Sequence, residues 1–132
     1  FATDDDWRAA LAAAKEYVPR VQAFRGRLGE SAQMLLDYLR LDDEISLAFD
    51  ALVHYAQRKS DEDTRVATYQ EMVSQVTRLA VELQSAAAFQ TPELLAIPED
   101  TLEGFYQTAP DLELYRRNID RVRRRKEHVL PA

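Results

Sequence analysis

The chain has 132 residues, 17 basic and 23 acidic side chains, a net charge of −6 and no cysteine. That length is one domain with a sizeable core, and the missing thiols exclude disulfides, thiolate zinc sites and a cysteine nucleophile together. No run reaches the length of a membrane span, and the acidic balance argues against nucleic acid as the main partner.

Thr3-Asp-Asp-Asp6 reads as the start of a helix, with a hydroxyl cap and carboxylates at the positive end of the helix dipole. A calcium loop would need alternating ligands, a central glycine and a distal glutamate, which this stretch lacks. Trp7, Leu11, Ala14, Val18, Val21, Phe24 and Leu28 then line one face, with Trp7 as a core anchor. Pro19 lies inside this run and must kink the helix or split it. Gly29 is expected as the helix C-cap and Ser31 as the next N-cap. The Gly26-Arg-Leu-Gly29 loop resembles a nucleic-acid clamp in spacing alone, since that module needs strands and none is predicted.

A second helix is expected from Ser31 to about Lys59, with Met34, Tyr38, Leu41, Ile45, Ala48, Leu52 and Tyr55 along one line and Leu35, Leu39, Phe49 and Ala56 beside it. Asp42-Asp43-Glu44 reads as a solvated face or a local helix joint. Ser60-Asp-Glu-Asp63 is the turn into the third helix, capped from Ser60, Asp63 or Thr64. In that helix Val66, Tyr69, Val73, Val76, Ala80, Leu83 and Ala87 recur at steps of three and four, and Met72, Leu79 and Ala86 widen the seam. The short connection makes the second and third helices antiparallel neighbours.

Thr91-Pro92-Glu93 resets the chain. Pro98 opens a short helix ending near Thr108, and Pro110 opens the last, with Leu112, Tyr115, Ile119 and Val122 inward. The expected fold is all-α: three long antiparallel helices, the first kinked at Pro19, and two shorter C-terminal ones, in a single domain over 1–132.

His54 and His128 stand apart from any His-Glu-x-x-His helix, and no serine sits in a nucleophile elbow. The charged anomaly is the last helix, where Arg116, Arg117, Arg121, Arg123, Arg124, Arg125 and Lys126 crowd together. No aromatic residues interleave with them as a stacking platform. They are expected to pair with the domain's own acids or with a neighbouring domain, and Arg116, Arg117, Arg121 and Arg124 are the candidate interdomain contacts.

Several landmarks occur in a fixed order: Trp7 in an acidic opening, Pro19, Phe24-Arg-Gly-Arg-Leu28, Tyr55-Ala56 and Ser60-Asp-Glu-Asp-Thr64. Ala86-Ala-Ala-Phe89, Pro92-Glu-Leu-Leu95, Ile97-Pro-Glu99, Tyr115 and His128-Val-Leu130 complete the series. Together they resemble the N-terminal region of oligoendopeptidase F, a zinc peptidase of the thimet oligopeptidase-like family. Pro131 departs from the serine expected after the last motif.

The resemblance implies a non-catalytic helical domain that helps wall a channel admitting short peptides. Zinc and the general-base glutamate would lie in a catalytic domain outside this chain, which would be this domain's partner. No catalytic, metal or cofactor-binding residue is carried over to the chain, and neither nucleic acid nor membrane is expected as a partner. Phe1 in place of a methionine fits a piece of a longer cytoplasmic protein. The rival reading is a free-standing helical adaptor that binds an amphipathic partner helix.

Overall fold

A computed structural model describes residues 1–63 and 65–128, with side chains described as far as Arg124. All regular structure among the described residues is helical: α1 (Asp4–Ala14), α2 (Tyr17–Gln22), α3 (Ala32–Glu62), α4 (Ala67–Ala86), α5 (Gln90–Ala96), α6 (Glu99–Thr108), a 3-10 helix (Pro110–Tyr115) and α7 (Arg116–His128). The all-α architecture is the expected one. The chain forms two compact units, one from Phe1–Gln22 and Asp42–Ala86, the other from Ala23–Leu41 and Ala87–Ala132. The 31-residue α3 contributes to both.

In the first unit, Thr3 caps α1 by accepting the Asp6 amide at 3.1 Å. Pro19 splits the first helical run rather than bending it. A proline ring collides with the carbonyl four residues back and offers no N–H to it, and here that carbonyl belongs to Lys15. The chain leaves α1 at Ala14 and re-enters helix at Tyr17.

The two short helices run antiparallel to α3. Going forward along them, Asp4 meets Tyr55, Trp7 meets Leu52 and Arg20 meets Glu44, so the register on α3 runs backward. Trp7 is fully buried and donates its indole N–H to the Leu52 carbonyl at 2.9 Å, confirming the core anchor.

The turn into α4 differs in detail from expectation. Ser60, Asp61 and Glu62 complete the last turn of α3, and the Asp63 carboxylate accepts the Arg65 amide at 3.0 Å. A short acid can hold a turn two residues ahead this way, so Asp63 rather than Ser60 organises the corner. Thr64, the other cap considered, lies outside the described residues. Lys59 bridges the corner, its Nζ 5.7 Å from the Tyr55 ring centre and 5.9 Å from that of Tyr69.

Helix α4 packs against α2 and buries Met72, Val76, Leu79 and Leu83. Burial therefore centres between the two predicted lines, taking Val76 and Leu83 from one and Met72 and Leu79 from the other.

The second unit opens with the loop 23–31. The helix that was expected to reach Gly29 ends at Gln22, and the left-handed residue is Gly26, at φ +78°. Only glycine adopts that conformation without a Cβ penalty, so the cap role assigned to Gly29 does not hold. Ser31 does cap α3, accepting the Met34 amide at 3.1 Å.

Asp42-Asp43-Glu44 forms no joint, because α3 runs through it unbroken. Asp43 and Glu44 are exposed as expected, while Asp42 is half-buried and its carboxyl is pushed above the usual range, first by desolvation and then by Asp43. After α4, the reset at Thr91-Pro92-Glu93 is a helix in its own right, α5. The run opened by Pro110 begins as a 3-10 turn before widening into α7.

Candidate functional site

The arginine-bearing end of the second unit is where sequence and structure both concentrate unusual chemistry. Helices α5 and α7 pack together there, and α7 also packs against the 3-10 helix that precedes it. Leu112 and Ile119 are buried on the inner face, with Tyr115 and Val122 half-buried. These four apolar positions fix the rotation of α7 and so decide where each arginine points.

Two arginines of the run are turned inward. Arg123 donates through one nitrogen to the carbonyls of Leu94 and Ile97, each at 2.7 Å. The last carbonyls of a helix have no partner within it, so the guanidinium supplies the missing donor at the C-terminal end of α5.

Arg116 forms a two-pronged pair with Glu113, both contacts 2.8 Å, and reaches Glu103 at 3.1 Å and 3.4 Å. Its guanidinium carbon stands 3.9 Å from the centre of the Tyr106 ring. Hydrogen bonds to Glu113 and then Glu103 raise the Arg116 pKa further, and the same contact lowers that of Glu113. Beneath this cluster the Tyr106 hydroxyl is buried without a hydrogen-bond partner, and desolvation pushes it up to about 12.

The remaining arginines of the described run face out. Arg117, Arg121 and Arg124 are exposed and spaced i, i+4 and i+7, which places them along one stripe of α7. Among the described residues, Arg124 has a single hydrogen bond, to the Asp120 carbonyl of its own helix at 3.5 Å. Leu114, three residues before Arg117, is 81% exposed. Of the four candidate contact residues, the structure thus holds Arg116 within its own unit and leaves Arg117, Arg121 and Arg124 together on the surface. Arg125 and Lys126 lie beyond the last described side chain.

A shallow cleft of about 310 Å³ lies beside the C-terminal half of α5, lined by Gly26, Gly29, Glu93, Ala96, Ile97 and Pro98. Glu93 organises it. One carboxylate oxygen accepts the Gly26 amide at 2.6 Å and the other the Leu28 amide at 3.1 Å. The acid therefore locks the glycine loop onto α5.

The sequence names Arg123 within the arginine run and Glu93 at the reset after Phe89, but not their partners, which only the fold brings close. The seven-residue spacing of Arg116 and Arg123, against the i, i+4, i+7 spacing of the other three, is a signal that sequence alone carries.

His54 is exposed, and the described residues contain no group of three or more His, Asp or Glu side chains able to hold a metal. The side chain of His128 and all of Val129–Leu130, which belong to the last sequence landmark, lie outside the described residues. None of the described helices is long and apolar enough to cross a membrane. The arrangement can bind through charge and shape.

The family model described as Oligopeptidase F matches residues 93–132, the segment that builds this arginine-bearing end. Oligopeptidase PepF of Bacillus subtilis is 32% identical over 130 residues, covering 98% of this chain and 19% of that protein.

The chain is homologous to oligoendopeptidase F.

Group B oligopeptidase PepB of Streptococcus agalactiae, 32% identical over 130 residues, and the chromosomal oligoendopeptidase F of Lactococcus lactis subsp. cremoris, 33% identical over 132, each align with 98% of this chain and 22% of their own length. The oligoendopeptidase F homology is thus to the N-terminal domain of such a peptidase, and the chain spans about a fifth of the length of these curated relatives. The crystal structure of oligoendopeptidase-F from Enterococcus faecium superposes on 97% of this chain and 25% of that one, with a TM-score of 0.82 at 23% identity, which establishes a shared fold.

Proposed function

We propose that this chain is the non-catalytic N-terminal helical domain of a cytoplasmic, zinc-dependent oligoendopeptidase that hydrolyses short peptides, and that its helices form part of the wall restricting access to the site of cleavage. The observation that carries the reading is the pair of coverages: 98% of this chain aligns with oligopeptidases of which it makes up 19–22%. A helical wall needs no reacting group. It needs rigidity, which Trp7, Met72, Leu79 and Leu83 supply by burial in the first unit and the Glu93 and Arg123 contacts supply in the second.

Zinc is the metal this reading implies, and the donor set here does not fit it. The sequence contains no His-Glu-x-x-His helix, and the described acids and histidines do not converge. No step of hydrolysis is therefore assigned to these residues. The chain contributes shape and charge, and excludes bulky substrates by occupying the space they would need. The adaptor reading has no comparable support from a named observation.

The test compares the full-length protein with the isolated chain on a short fluorogenic peptide. The full-length protein should cleave it, lose activity to a chelator and recover it with zinc, while the isolated chain, loaded with zinc and repurified, should give none. Hydrolysis by the isolated chain, or an inert full-length protein, would overturn the proposal.

A further inference from the structure

The outward stripe of α7 carries an inference of its own. Among the arginines with described side chains, Arg25, Arg117 and Arg121 have no ion pair, hydrogen bond or ring contact, and Arg124 has only the long contact to its own helix. Three of those four fall on one stripe about 10 Å long, at roughly 1.5 Å per residue. The chain as a whole is acidic, and its other described arginines find acids, carbonyls or rings. A cluster of cations with no ion pair among the described residues is a patch of positive charge open to a partner.

The apolar neighbour narrows the choice of partner. Leu114 leads into the same helix and is the most exposed large hydrophobic residue described. Apolar contact beside arginines is the composition of a protein interface, where both can carry binding energy. A nucleic-acid surface of this size would call for stacking aromatics and a basic domain, and the described stripe lacks the first while the chain lacks the second.

We infer that Leu114, Arg117, Arg121 and Arg124 form a docking face for an acidic surface of the same full-length polypeptide, outside residues 1–132. Arg116, grouped with the others by sequence, is excluded because Glu103 and Glu113 already hold it. The inference rests on the reading of this chain as one domain of a longer protein, and the occupant follows from charge complementarity together with the four-fifths of the relatives' length that lies outside the alignment.

Arginine footprinting of the purified full-length protein tests it. The probe is phenylglyoxal, read by peptide mass spectrometry, and Arg25 is an internal reference because it is exposed and unpaired in the same unit. Arg117, Arg121 and Arg124 should react about tenfold more slowly than Arg25, the protection expected of a contact that opens only locally. Raising salt should lift that protection, since screening weakens the charge pairing. An R121E/R124E protein should lose the protection of Arg117 at low salt.

Equal reactivity of all four arginines would overturn the inference, and so would protection that survives high salt. Protection lost on dilution would assign the face to a second copy instead. Peptidase activity is scored separately. An active protein with an unprotected stripe sinks only the docking face, while an inactive protein with a salt-sensitive footprint sinks only the peptidase reading.

Discussion

Glu93 grips the backbone on either side of Arg27: its two carboxylate oxygens take the amides of Gly26 and Leu28, at 2.6 Å and 3.1 Å. These amides belong to a loop that carries the one left-handed glycine, so the acid and the backbone conformation support each other. Glu93→Gln keeps one acceptor but turns an NH2 group toward a backbone donor. It should destabilise the fold by about 1–3 kcal/mol, the usual cost of an unmet donor facing a lost charged acceptor. Hydrogen exchange should quicken at Gly26 and Leu28 ahead of the α4 amides.

Arg123 is predicted to act as a cap and not as a binding residue. Arg123→Ala exposes the carbonyls of Leu94 and Ile97 to water or leaves them unpaired, and should cost about 1–2 kcal/mol in urea unfolding. Arg121→Ala, on the outer stripe, should change the stability of the isolated chain by less than about 0.5 kcal/mol. Equal losses would contradict the inward and outward sorting of the run.

Trp7 should be the most sensitive core position tested. Trp7→Ala removes a fully buried ring and is expected to cost about 3–5 kcal/mol. Trp7→Phe keeps much of the volume but loses the donor to Leu52, and should cost less than Trp7→Ala in the same unfolding series.

Two tyrosines predict a loss of stability in alkali. Tyr55 is pushed up to about 12, first by its hydrogen bond to Asp4, and Tyr106 to about 12, first by burial, against an ordinary value of 10.0. The folded state keeps these protons while the unfolded chain releases them. Their contribution is fully present below about pH 10 and is lost as pH rises toward about 12.

Tyr106→Phe removes a buried hydroxyl that has no partner, so stability at pH 7 should hold or rise and the alkaline decline should flatten. Tyr55→Phe should flatten the same decline but lower the melting temperature at pH 7, because its hydroxyl donates to Asp4 at 2.6 Å. Circular-dichroism melts from pH 8 to 12 check both.

The helices were legible because apolar spacing is a local signal. Trp7, Leu11 and Ala14, or Leu52 and Tyr55, fall where a 3.6-residue period puts them. Boundaries were less legible. Pro19 announced a break, but its position follows from the carbonyl of Lys15 four residues earlier, and the apolar line through Phe24 and Leu28 continued past the real end of α2. Gly29 and Gly26 could not be ranked as caps, since the left-handed turn is secured by Glu93, some 65 residues away in sequence.

The arginine run showed its charge but not its sorting. Arg116 and Arg123 turn inward because acids and open carbonyls await them on α6, the 3-10 helix and α5, and those partners become neighbours only in the fold.

The central claim is that this chain is one domain of a zinc peptidase whose reacting groups lie elsewhere in the polypeptide. Reading the gene past codon 132 tests it most directly. The account predicts that the frame continues into a segment with a His-Glu-x-x-His helix. A stop codon close to Ala132, or a continuation without that helix, would contradict it.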